Sequence, residues 1–210
     1  MSVIPFLELL EQFAHENFPD EMEDSRTRYL KTLGLVHESE ESYDENMRAF
    51  LDWFVFERPL NESEKTPLEL FVERGSPEMS EEDLEIFKGF RRSAHSLYLI
   101  KKVTSQGVDC KDLFSGEKIV VSEEISGGFL KGEIFESRIF PWQESYRFGE
   151  MFRFHPKRAN KVIQKAAKQI LQQESETTQN LMMKLATMKI KHQRYPRVDL
   201  LEFYKEALLG

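Results

Sequence analysis

The chain has 210 residues, enough to bury a core as one large domain or two small ones. Its charged fraction of 31% is high, yet 17 Phe, 8 Met and 2 Trp are too many large apolar side chains for a disordered chain. A single cysteine, Cys110, excludes an intramolecular disulfide and a cysteine-rich zinc site, and the net charge of −8 conceals opposed blocks: −13 over residues 1–95, −2 over 96–150, +9 over 151–198 and −2 over 199–210.

Residues 1–95 read as short helices with clear boundary chemistry. Pro5 suits a first helical turn, and Phe6, Leu9, Leu10 and Phe13 recur at the spacing of one helical face. Ser25 to Leu33 predicts a short helix closed by Gly34, which can take the left-handed conformation that ends helices. Ser42 with Glu45 predicts a capping box; Met47, Phe50, Leu51 and Phe54 then share a stripe, and Pro59 stops the helix. Thr66, Pro67 and Glu69 repeat the start signal, with Gly75 as the stop. Ser80 and Asp83 open a further helix with its acids first and Arg91 and Arg92 last, the order that suits the helix dipole.

After Ser93 the period changes. Strands are expected from Leu97 to Val103, Val108 to Phe114, Lys118 to Val121, Ile134 to Phe140, and around Tyr146, Phe148 and Phe152. Gln106-Gly107 and Ser115-Gly116 supply turns, Gly127, Gly128 and Gly132 break the chain, and Pro141 marks the next turn. Short strands at this spacing predict a small five-stranded antiparallel β-barrel or curled sheet, SH3-like or OB-like. From Lys157 the helical period returns. Val162, Ile163, Ala166 and Ile170 form one face, a helix from Thr177 to about His192 carries Leu181, Leu185 and Met188, and Asp199 with Glu202 caps a last helix beyond Pro196. Gln169 to Thr178 is a polar linker. The fold class expected is α+β, in three segments: an acidic helical region over 1–95, the β unit over 96–156 and a basic helical segment over 157–210, which together can also form one compact unit.

Leu51-Asp52-Trp53-Phe54-Val55-Phe56, Pro67-Leu68-Glu69-Leu70-Phe71, Ser96-Leu97-Tyr98 and Asp112 through Glu117 form an ordered set with Lys131-Gly132-Glu133 and Arg138-Ile139-Phe140-Pro141. Over residues 45–150 this resembles a group of uncharacterised bacterial proteins in which an aromatic helical segment precedes a compact β unit. Some members also carry a SEC-C zinc motif, whose ligands one cysteine cannot provide. The resemblance implies an architecture and no site.

Catalytic constellations are not found. His15, His37, His95, His155 and His192 are scattered without a metal-binding pair at helical spacing, so no metal is expected. Gly127 to Gly132 lacks the Gly-Lys-Ser/Thr ending of a phosphate loop, and there is no Gly-x-Ser-x-Gly elbow. Cys110 beside Asp109 reads as a structural thiol, since a neighbouring carboxylate raises a thiol pKa. Glu123-Glu124 and Glu133/Glu136 read as solvated carboxylates of an acidic chain. No cofactor is implied.

Two binding features stand out. Arg138, Trp142, Tyr146, Arg147 and Phe148 would put guanidinium groups and aromatics on one sheet edge, a surface suited to single-stranded nucleic acid; the plainer reading is that the aromatics are core. Lys157, Lys161, Lys165 and Lys168 share one helical face, which either meets a polyanion or is a solvated side; the basic block can equally neutralise the acidic half. The primary expectation is a non-enzymatic binding or regulatory module that recognises another protein. A nucleic-acid-binding protein is second, and an enzyme with a dispersed site third. No stretch reaches the about eighteen apolar residues of a membrane span, and Met1 to Leu10 lacks a basic start and is interrupted by Glu8, so a cytoplasmic protein is expected.

Overall fold

Local chemistry accounts for most helix boundaries in the computed structural model, which describes residues 2–75, 79–122, 127–171 and 177–209. Prolines stand in the first turns of α1 (Ile4–Asn17) and α2 (Pro19–Thr32), where a missing N–H costs nothing. α2 is longer than the sequence pattern predicts, and it ends in a Schellman arrangement. Gly34, at φ 92°, donates to Lys31 O while Leu35 donates to Leu30 O. α3 (Tyr43–Phe56) starts without the expected capping box: Ser42 is in a helical conformation and its side chain makes no cap bond. The oxygen of a capping side chain needs an extended backbone at that position, and Ser42 lacks it. At α4 (Pro67–Arg74) Thr66 is extended and the reciprocal box with Glu69 forms in full. α5 (Glu81–Phe90) is capped by Ser80, which accepts from Asp83 N–H.

The strands are β1 (Ala94–Thr104), β2 (Gly107–Asp112), β3 (Lys118–Val121), β4 (Ile134–Trp142) and β5 (Ser145–His155). β4 runs past Pro141, and the turn falls two residues later, at Gln143 with φ 53°. Neighbouring strands follow the closed order β1-β2-β3-β5-β4. The sheet is mixed, and this corrects the expectation of an antiparallel one. A closed ring with an odd number of strands cannot alternate direction throughout. β1 with β2 and β2 with β3 are antiparallel. Ile100 bonds to Gly132 and Glu133 while His95 reaches Glu136, so β1 and β4 also oppose each other. With β4 and β5 joined by a tight turn, the parallel pair is β3 with β5, strands that are not consecutive in the chain.

After the 3₁₀ turn Lys157–Ala159 come α6 (Asn160–Ile170), α7 (Thr178–Arg194) and α8 (Leu200–Leu209). Thr177 caps α7 by accepting from Asn180 N–H, and Asp199 caps α8 by accepting from Leu201 N–H at 2.9 Å. Part of the polar linker (172–176) and the pair Glu123-Glu124 lie outside the described residues.

Two compact units are present, and neither is continuous in sequence. The first comprises 1–94 with 138–151; the second comprises 95–137 with 152–210. The core of the first is aromatic: Phe6 meets Phe87 edge-on at 5.4 Å and Trp142 at 5.9 Å, Phe87 also meets Phe71 at 4.7 Å, and Phe90 meets Phe140 at 4.6 Å. In the second, Leu97 and Ile134 of the sheet pack with Val162, Ile163, Ala167, Leu181, Leu185 and Tyr204 of the helices. Tyr98 and Phe135 leave the sheet's other face, where Phe135 stacks with Phe154.

Candidate functional site

The fold takes apart the aromatic and guanidinium edge expected from the sequence. Arg138 is 4% exposed and Trp142 is 7% exposed, so neither is available to a ligand. Tyr146 and Arg147 are half-buried, and Arg147 donates to the carbonyl of Tyr146. Phe148 is buried core. Arg138 has a structural role in the first unit. It places Nε 3.0 Å from both carboxylate oxygens of Asp52, donates to Glu57 and to Ser93 Oγ, and lies 4.7 Å from the centre of the Phe56 ring. Burial, the largest influence, opposes its charge, but Asp52 and Glu57 outweigh it and raise the guanidinium pKa.

Also in the first unit, a cleft opens among Leu7 and Glu11 of α1, Arg48, Asp52 and Phe56 of α3, and Glu150 of β5. Its volume of about 20 Å³ accommodates about one water and no organic substrate. Burial raises the Glu11 pKa; Arg48 opposes the shift, and Glu150, Asp52 and Glu8 add to it. Arg48 is itself held by Glu150 at 3.0 Å.

In the second unit, two histidines that look unrelated in sequence converge on one carboxylate. Glu136 accepts two bonds from Arg153 Nη1, at 2.9 and 2.8 Å, and its Oε1 lies 3.0 Å from His95 Nε2. Glu136 and Arg153 are 2% and 1% exposed. Burial alone would raise the Glu136 pKa; Arg153 and then His95 outweigh it and hold it at about 2. His155 is 3% exposed, and neither ring nitrogen has a hydrogen-bond partner among the described residues. Burial, with Arg153 and Lys189 nearby, pushes its pKa down to about 3 against the pull of Glu136. The ring is therefore neutral at physiological pH. The expectation that Glu136 is a solvated carboxylate is corrected: β4 is buried along almost its whole length, and Glu136 is held there by Arg153 of β5. Cys110 is 2% exposed, and burial followed by Asp109 pushes its thiol up to about 12, which disfavours the thiolate.

The lysines fare differently from the aromatic edge. Lys157, Lys161, Lys165 and Lys168 are all exposed, while Val162, Ile163, Ala166, Ala167 and Ile170 of the same helical stretch are buried. Lys157 belongs to the 3₁₀ turn and lies 3.7 Å from Glu133; Lys161, Lys165 and Lys168 form no ion pair among the described residues. The helical spacing visible in the sequence was sufficient to find this face. The convergence of His95, His155, Glu136 and Arg153 was not findable that way, because the strand order that assembles it leaves no local pattern.

A family model described as a family of unknown function (DUF7986) matches residues 8–193. The chain belongs to that family. The match spans both compact units and all four of the exposed lysines. No curated protein and no solved structure matches the chain. Among the described residues no helix is long and apolar enough to cross a membrane.

Proposed function

We propose that the protein is a non-enzymatic binding module that presents the lysine face of α6 to an acidic surface on another protein. The observation that carries this reading is the division of one short helix into a buried apolar face and an exposed row of lysines, three of them without an ion-pair partner among the described residues. Charges of this kind steer encounter and set partner choice. Two further observations favour binding over chemistry. The cleft with a perturbed carboxylate holds about one water, and the Glu136 cluster is buried and internally neutralised.

The reading sets the chain in the bacterial cytoplasm, within the SEC-C-associated group. Its sheet then acts as a small SH3-like or OB-like barrel that carries the basic helical segment 157–210. A nucleic-acid partner is the second reading, supported by the same row of lysines, which can follow a phosphate backbone. It is the weaker one because Arg138 and Trp142 are buried.

The test is affinity capture with the full chain at near-physiological salt, wild type beside a Lys161→Glu/Lys165→Glu variant. A specific acidic protein recovered by the wild type and lost by the variant is the expected result. Identical recovery by both, or abundant background proteins alone, would overturn the proposal. Oligonucleotide binding that persists at about 50 mM salt and disappears in the variant would move the assignment to nucleic acid.

A further inference from the structure

The turn between α7 and α8 is an exposed basic and aromatic segment of the second unit. Lys191, Arg194, Tyr195, Pro196, Arg197 and Val198 are all exposed, Tyr195 by 58% and Val198 by 37%. Val198 N–H donates to Tyr195 O at 3.1 Å, which folds the segment into a turn with both apolar side chains in solvent. Bases in the last turn of α7, Lys191 and Arg194, complement the carbonyl end of that helix. Helix electrostatics therefore accounts for those two. It does not account for Tyr195, Arg197 or Val198, which lie beyond the helix.

The turn is joined to the lysine face. Asp199, directly after Val198, accepts from Arg158 Nη2 with both carboxylate oxygens at 3.2 Å. Arg158 lies beside Lys157 in the 3₁₀ turn that leads into α6. The bridge therefore ties the residue after Val198 to the residue after Lys157, so the turn and the start of the lysine row are joined by one ion pair. The composition is that of a protein-recognition surface: a small apolar centre containing tyrosine, with arginine and lysine around it.

We infer that this face binds an acidic segment that also carries apolar side chains, its carboxylates meeting Lys157, Lys161 and Lys165 and an apolar anchor covering Tyr195 and Val198. This rests on the proposed protein-binding function and narrows it to a partner chemistry. Charge complementarity selects an acidic partner, and the apolar end of the face distinguishes an amphipathic segment from a uniformly acidic one. Single-stranded nucleic acid fits the charge, but Tyr195 is the one aromatic ring among the exposed large apolar side chains of the described residues, whereas such sites stack successive aromatics.

The inference is tested with the full chain and three fluorescent probes: a peptide alternating glutamates with leucine and phenylalanine, a polyglutamate peptide of equal charge, and oligo-dT. Binding is followed by anisotropy at near-physiological salt for wild type, Tyr195→Ser/Val198→Ser and Lys161→Glu/Lys165→Glu, each checked for an unchanged circular dichroism spectrum. The amphipathic peptide is expected to bind the wild type more tightly than polyglutamate. The Tyr195→Ser/Val198→Ser change should weaken the amphipathic peptide about five-fold or more and leave polyglutamate unaffected, as removal of an apolar anchor does. Equal binding of both peptides, or no effect of that variant, would overturn the inference while leaving the acidic-partner reading in place. Failure of both peptides to bind would remove that reading as well, and tighter binding of oligo-dT would replace it.

Discussion

At the scale of single residues, the largest consequences belong to buried charges. Arg138 pairs with both Asp52 and Glu57, whose side chains are 10% and 24% exposed. Arg138→Met would leave the Asp52 carboxylate buried and unpaired, and we expect a loss of about 3–5 kcal/mol, read from the urea midpoint. Combining it with Asp52→Asn should recover part of that loss, because the stranded charge is then gone. If the single variant costs no more than a surface substitution, the ion pairs contribute nothing and the packing of Phe56 and Phe140 suffices without them. Arg138 also illustrates the limit of sequence reading. An arginine close to aromatics looks like a ligand contact until the fold supplies two carboxylates from α3.

Elements show the reverse, because local chemistry settles most of them. The box at Thr66, the cap at Ser80 and the stop at Gly75 form as their residues dictate. Gly107 is the position where a turn and a close approach coincide. It opens β2 at φ 153°, and a Cβ there would sit 2.1 Å from the carbonyl oxygen of Val121 in β3. Gly107→Ala therefore has to push β3 away from β2 at Val108 and Val121, both fully buried. We expect a loss of about 2 kcal/mol or more, together with faster amide exchange along β2 and β3. Exchange unchanged along both strands would show that the turn accommodates the methyl group. Lysine substitutions on α6 are different in kind, since exposed positions away from caps and cores change stability by about 0.5 kcal/mol or less. Their effect is expected on binding alone.

For the molecule as a whole, the informative variable is pH. Glu136 has a folded pKa of about 2 against an ordinary 4.5, so the stability it contributes is complete above pH 4.5 and is lost as pH falls through 2. The folded pKa of His155 is also depressed, to about 3 from 6.5. Between those values the unfolded chain takes up the proton and the folded chain does not, so this contribution is present above pH 6.5 and is lost on acidification. Both groups act in the same direction. Thermal melts should move to lower temperature as pH drops from 6.5 to 4.5, the window that belongs to His155, and more steeply below it as Glu136 enters. His155→Leu should flatten the upper window and make the decline below pH 4.5 shallower down to about 3, leaving the Glu136 contribution. A His155→Leu profile that superimposes on wild type between pH 6.5 and 4.5 would show that another group carries the acid sensitivity.

Residue order alone carries what depends on neighbours along the chain. Helix starts and stops, five strands, the amphipathic split of α6 and the opposed charge blocks can all be read from residue order, because caps, turns and periodic faces are short-range. It misjudged Ser42, whose capping depends on a backbone conformation that residue type does not set, and Pro141, which β4 simply passes through. Only the tertiary structure decided which side chains meet across distant segments. The parallel contact of β3 with β5 follows from closing an odd number of strands. The burial of Arg138 on Asp52 and Glu57, the gathering of His95 and His155 on Glu136, and the bridge from Arg158 to Asp199 each join residues 40 or more positions apart, except for His155 and Glu136 on adjoining strands. Such contacts arise from the packing of whole elements, and no periodicity in the chain records them.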